Sequence, residues 1–186
     1  MRLAHRDMSL DSPSARVLAS TFDAGDDDRA RWSLERLEHL LDTSPAPFSR
    51  TAYDPGHITA SGLVLTPSRD AVLLVYHERL ERWLQPGGHV ESSDKSVADA
   101  ARREVVEETD IRVDDLDPAL VAIDVHEIPA TRGEPSHLHH DFMFRFHLRR
   151  LASPARGRQA IWCALPELDR YNVDEPLRRG VARSLT

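Results

Sequence analysis

The stretch Pro86 to Ile111, PGGHVESSDKSVADAARREVVEETDI, decides how the rest of the chain is read. It opens on a glycine turn, Gly87 and Gly88, and runs into a helix. From Asp94 the apolar residues Val97, Ala98, Ala101 and Val105 recur at helical spacing, while Glu104, Glu107 and Glu108 fall on the other side. Three carboxylates at i, i+3 and i+4 share one face, and like charges so placed cost a helix about 0.2–0.5 kcal/mol per pair. A positive partner is therefore expected against them. Oxygen ligands with no cysteine nearby select Mg²⁺ or Mn²⁺ over Zn²⁺, and Mg²⁺ held by a few carboxylates usually works on substrate phosphates. The competing reading is a solvated acidic face, ion-paired to Arg102 and Arg103. The Gly-Gly turn ahead of the helix favours the metal site.

These residues resemble the signature of the Nudix hydrolase family, G-x5-E-x7-R-E-U-x-E-E-x-G-U with U an aliphatic residue. Gly88, Arg103, Glu104, Val105, Glu107, Glu108 and Ile111 match it. Asp94 stands where the first Glu belongs, with eight residues rather than seven before Arg103. Asp110 replaces the final Gly, at a helix end that wants a left-handed residue, a conformation Asp adopts less readily. The resemblance implies the Nudix fold, an α/β/α sandwich around a mixed central sheet. It also implies that Glu104, Glu107 and Glu108 bind Mg²⁺ or Mn²⁺, joined by the backbone carbonyl of Gly87. The implied reaction is hydrolysis of a phosphoanhydride bond in a nucleoside diphosphate linked to another group, through an activated water. Arg103, Glu107 and Glu108 are then the catalytic candidates: Arg103 is similar to the box arginine that orients a glutamate, and Glu107 or Glu108 serves as base. In some members the base comes from a loop outside the box, where this chain offers Glu127 and Glu134.

Two other readings belong to the same fold. A non-catalytic nucleotide sensor usually loses box glutamates, which are retained here. An isomerase branch uses a cysteine before the box, and no Cys precedes Cys163.

Composition suits one globular domain with a modest extension. The 186 residues are 40% hydrophobic and 30% charged, enough for a core. A net charge of -7 repels nucleic acid and anionic lipid unless locally patched, so neither is expected as a partner. The longest apolar run, Ala71 to Tyr76, is too short to span a bilayer, and the amino terminus MRLAHRDMSLDS lacks an apolar signal core. A cytoplasmic protein is expected. The single cysteine, Cys163, excludes a disulfide framework and reads as a buried, reduced thiol.

Met1 to Leu41 reads as helical, broken by an acidic turn at Gly25, and residues 1–50 are taken as an N-terminal helical extension and linker before a domain over 51–186. Trp32, Leu37 and Leu41 suggest that these helices pack on the core or form a homodimer contact. Ser44 to Gly56 carries three prolines and reads as connection. His57 to Leu65 and Ala71 to His77 are expected to form a hairpin, with further strands at Leu120 to Ile128, Leu138 to Leu148 and Ile161 to Leu165. A helical turn at Pro166 to Leu168 and a closing helix at Glu175 to Leu185 complete the pattern.

The stretch SHLHHDFMFRFH, Ser136 to His147, places His139, Asp141, Met143 and Arg145 on one strand face and His140 with three phenylalanines on the other. His137, His139 and Asp141 alternate like metal ligands. Beside a phosphate site, His139 and Asp141 are substrate-binding candidates, and Arg145 a phosphate ligand; related Nudix sequences carry a similar H-x-H-x-D stretch. Trp83, Tyr76 and His77 either stack a base or belong to the core. His57 is open in the same way. Asp94, at the start of the helical pattern, is expected to act as its N-cap, and Glu91 either faces the site or holds the loop.

Overall fold

Alternation along two long strands divides the interior into two cores. In the computed structural model, which describes residues 10–113, 118–157 and 159–185, strand β1 (His57–Leu65) runs parallel to β6 (His137–His147), pairing His57 with His139 and Leu65 with His147. Strand β2 (Ala71–His77) turns back antiparallel at Leu65 opposite Val72. It also pairs with β3 (Arg82–Leu84) and β7 (Ala160–Ala164). The short β4 (Gly87–His89) lies antiparallel on β1, and β5 (Ala119–Ile128) antiparallel on β6. The sheet is mixed, as the family resemblance implies.

Helices cover both faces. Ile58, Ala60 and Val64 of β1 and Phe142, Phe144 and Phe146 of β6 pack with α1 (Ser12–Ala19), α2 (Asp28–Thr43) and α3 (Val97–Thr109). Leu63, Leu65 and Met143 point the other way, against α4 (Glu175–Leu185) and a 3₁₀ turn at Leu165–Tyr171. The three phenylalanines are fully buried, each contributing about 1.5–3 kcal/mol by transfer from water. Gly62 sets how near α3 comes to the sheet, since a Cβ there would lie 2.4 Å from Cγ2 of Val105.

The N-terminal helices share this core. Leu37 and Leu40 are fully buried in the same cluster as Phe142. Ser33 Oγ accepts a 3.2 Å hydrogen bond from the Val125 N–H, and the Arg29 guanidinium donates to the Val125 carbonyl. Asp11 caps α1 and Asp27 caps α2, bonding Ser14 N–H at 2.7 Å and Ala30 N–H at 3.0 Å, each cap contributing about 1 kcal/mol. The first nine residues of the segment expected to be helical lie outside the described residues. Segment 44–56 forms neither helix nor strand. Among the described residues no helix is long and apolar enough to cross a membrane.

One expectation is corrected at α3. The helix starts at Val97, and its N-cap is Ser96, whose hydroxyl accepts from the Asp99 N–H at 3.1 Å. Asp94 lies two residues too early to cap that helix and is engaged elsewhere.

Candidate active site

Asp94 folds back onto the helix it precedes. Its two carboxylate oxygens each accept a 3.0 Å hydrogen bond from Arg103, one from Nε and one from Nη2, the planar fork that only arginine offers. Oδ2 also accepts from the Glu91 N–H at 2.8 Å, which closes the loop. The remaining nitrogen of the fork, Nη1, donates to Glu104 at 2.8 Å and Glu107 at 3.1 Å, while Nη2 also donates to the His89 carbonyl at 2.8 Å. Glu91 stands 3.9 Å from Nη1. One guanidinium thus ties helix, loop and glycine turn together.

The glycine turn meets the helix at two points. The Gly87 N–H donates to Glu108 at 2.9 Å. At Gly88 a Cβ would sit 2.6 Å from Oε1 of Glu104, so the missing side chain is what allows that carboxylate its place. At the far end of α3, Asp110 has φ 61° and ψ 14°, the left-handed conformation that ends a helix, and its N–H bonds the Val106 carbonyl at 2.8 Å. The position needs glycine's geometry, and aspartate supplies it under strain.

Charge around Arg103 is out of balance. Four carboxylates, Glu91, Asp94, Glu104 and Glu107, lie within 4.0 Å of one guanidinium. Burial pushes the Glu104 carboxyl above its usual range, and the neighbouring Glu107 and Glu91 charges push the same way against the pull of Arg103. Asp94 chiefly raises the already high pKa of Arg103, through its hydrogen bonds. A buried carboxylate crowded by others, with oxygen donors only, fits a hard divalent cation such as Mg²⁺ or Mn²⁺.

Histidines gather on the opposite face of β4. Gly88 faces α3, so its neighbour His89 points away, onto the face that carries His57, His137 and His139. The ring centroids of His57 lie 5.1, 5.0 and 4.8 Å from those of His89, His137 and His139. Burial holds the His139 pKa down to about 2 and that of His89 to about 4, with the His57 charge adding to both. His57 is lowered too, mainly by burial. Burial thus favours the neutral form of His57, His89 and His139. Asp141 lies deeper on the same face, accepting from Thr59 Oγ1 at 3.0 Å and Ser61 Oγ at 2.5 Å. Burial raises its carboxyl pKa in spite of those two donors.

A family model described as the NUDIX domain matches residues 56–183, more than two thirds of the chain. The chain belongs to the Nudix family. Solved Nudix structures agree in fold. A C. elegans Ap4A hydrolase superposes with a TM-score of 0.52 at 18% identity, covering 69% of this chain and 98% of that one. The E. coli dihydroneopterin triphosphate pyrophosphohydrolase gives 0.52 at 17% identity, covering 68% and 92%. NrtR of Shewanella oneidensis gives 0.51 at 16%, covering 69% and 62%. No curated protein matches the chain.

The Nudix helix brings Arg103, Glu104, Glu107, Glu108 and Gly87 into one place. The other sequence candidates are dispersed. His139 sits in the histidine cluster, one strand pair from Asp141, but Arg145 is six residues further along β6, about 20 Å at the usual rise of a strand. The Arg145 Nε is buried without a hydrogen-bond partner among the described residues. Trp83 packs edge-on against Tyr76 and Tyr171, 5.4 and 5.7 Å between centroids, at the margin of the α4 core. Glu127 accepts from Ser136 Oγ, and Glu134 lies 3.5 Å from Arg79.

Sequence reasoning missed three participants. The pairing of Asp94 with Arg103 spans a loop whose course no local pattern reveals. His89 and His126 join the histidine cluster, the latter with its ring centroid 5.7 Å from that of His139. The only signal for His89 is its place beside the Gly-Gly turn.

Proposed function

We propose that this Nudix protein is a Mg²⁺- or Mn²⁺-dependent hydrolase that cleaves the pyrophosphate bond of a nucleoside diphosphate linked to another group. The observation that carries this reading is the excess of carboxylate around Arg103, with Glu104 held at the surface of Gly88 and Glu108 on the Gly87 N–H. Glu104, Glu107, Glu108 and the Gly87 carbonyl would hold the ion. Bound there, it supplies positive charge to phosphate oxygens and lowers the pKa of a water.

The protein's own groups do the rest. Arg103 fixes the rotamers of Glu104 and Glu107 and fastens the loop through Asp94, so the ligand set is formed before substrate arrives. Glu108 sets the glycine turn by accepting the Gly87 N–H. Glu107 is the one exposed carboxylate of the three and is open to an attacking water, so it is placed to take that water's proton as general base. The retained glutamates favour turnover over a purely sensing role. Cys163 is buried on β7, which leaves no thiol for the isomerase chemistry.

The test is a panel of dinucleoside polyphosphates, nucleoside diphosphate sugars, ADP-ribose and nucleoside triphosphates, assayed for phosphate-bearing products with Mg²⁺, with Mn²⁺ and with chelator. Metal-dependent cleavage of at least one member is expected. Tight binding throughout with no product would overturn the hydrolytic reading in favour of a sensor.

A further inference from the structure

The histidine cluster contains a set of metal-ligand atoms that the carboxylate site does not use. Among the described residues, His57, His137 and His139 each bring one ring nitrogen to within 4.8 Å of the others. Two of the rings have fixed tautomers. His57 Nδ1 lies 3.0 Å from the Ala52 carbonyl and His137 Nδ1 lies 2.8 Å from the Pro135 carbonyl. A carbonyl only accepts, so both Nδ1 atoms carry hydrogen and both Nε2 atoms present bare lone pairs. Backbone carbonyls orient metal-binding imidazoles in this way.

One of these lone pairs, that of His57, meets no donor among the described residues. His57 is fully buried, and its Nε2 has no hydrogen-bond partner among the described residues. His137 Nε2 lies 3.3 Å from Nε2 of His139. A proton on His139 would satisfy that pair and still leave His57 Nε2 buried and unanswered. A single cation between the three answers all of them. Two nitrogens bound at about 2.05 Å to one tetrahedral ion stand about 3.3 Å apart, which is the separation seen here between His137 and His139.

We propose that His57, His137 and His139 form a second cation site, selective for a borderline transition ion of the Zn²⁺ type and separate from the oxygen-lined site on α3. Three imidazoles suit Zn²⁺ far better than Mg²⁺, and three protein ligands leave a fourth position open. His89 borders that position, its ring centroid 5.1 Å from that of His57 and 5.3 Å from that of His139. The His89 carbonyl accepts from Arg103 at 2.8 Å, so an ion held here sits directly behind the glycine turn of the carboxylate site.

The experiment is calorimetric titration of the chelator-treated full chain with Zn²⁺, with Co²⁺ as a visible probe of tetrahedral nitrogen coordination. Wild type is expected to bind one equivalent, and a Glu104→Gln/Glu108→Gln protein to bind it equally well. His137→Gln and His139→Gln should weaken binding by about 100-fold or more and abolish the Co²⁺ bands, with circular dichroism confirming their fold. Zn²⁺ binding that survives both histidine changes, or that disappears with the glutamates, overturns the proposal, as does no binding by wild type. X-ray absorption at the Zn edge of wild type gives a second reading independent of any variant's folding. A shell with three imidazole nitrogens at about 2.0–2.1 Å supports the site, and an oxygen-only shell contradicts it.

Discussion

Arg103 grips Asp94 through two hydrogen bonds of 3.0 Å across nine residues of chain, and the same guanidinium holds Glu104 and Glu107. Loop closure and the orientation of Glu104 and Glu107 therefore depend on one side chain. Lysine keeps the charge and loses the fork. Arg103→Lys is expected to weaken metal affinity or turnover by about 10- to 100-fold, with Asp94→Asn acting in the same direction. Metal titrations of activity for both variants check this, and wild-type values in Arg103→Lys would remove the positioning role.

The carboxylates themselves should matter more. Glu104→Gln and Glu108→Gln are each expected to lower kcat by about 100-fold or more while the fold survives. Stability separates the two effects. The folded-state pKa of Glu104 is raised, so folding disfavours its charged form, and that cost is present above the folded pKa and relieved as pH falls through it. Without metal, Glu104→Gln is therefore expected to melt at or above the wild-type temperature at pH 7, with the advantage shrinking towards pH 4. A melting temperature well below wild type at pH 7 would show that the carboxylate supports the fold rather than the site.

Acid should unfold the metal-free protein early. His139 and His89 have folded pKa values of about 2 and about 4, and His57 is also lowered. A histidine depressed in the folded state contributes stability that is fully present above the unfolded value near 6.5 and is lost as pH drops below it, because the unfolded chain takes up protons the native one refuses. Melting temperatures measured in chelator should accordingly fall steeply between pH 6.5 and 4. A flat profile over that window would mean that these rings are not desolvated in solution.

At the end of the Nudix helix, Asp110 occupies a left-handed conformation. Asp110→Gly removes the strain, with an expected gain of about 0.5–1 kcal/mol, or about 1–4 °C in Tm for a chain of this length. Differential scanning calorimetry reads it directly. A loss of stability would mean that the aspartate side chain makes a compensating contact.

Much of this architecture is written in local pattern. The alternation of His57 to Leu65 and of His137 to His147 fixes which residues face each core, and the 3.6-residue recurrence of Val97, Ala101 and Val105 fixes the face that α3 buries. The box glutamates are legible because a short motif confines them to one helix. What escaped is long-range. Asp94 reads as the cap of α3, whereas Ser96 caps it, because Arg103 reaches back over the loop and engages Asp94. The convergence of His57, His89 and His139 depends on β1 pairing with both β4 and β6, a register that no single strand announces. Arg145 and His139 share a strand face and looked like one site, but the length of β6 separates them.

The most direct measurement is anomalous diffraction from crystals grown with Mn²⁺ and a non-hydrolysable nucleoside diphosphate analogue. A manganese peak among Glu104, Glu107 and Glu108, with the diphosphate beside it, is the expected result. Those carboxylates turned to bulk solvent, with no manganese among them and the analogue bound elsewhere, would contradict it.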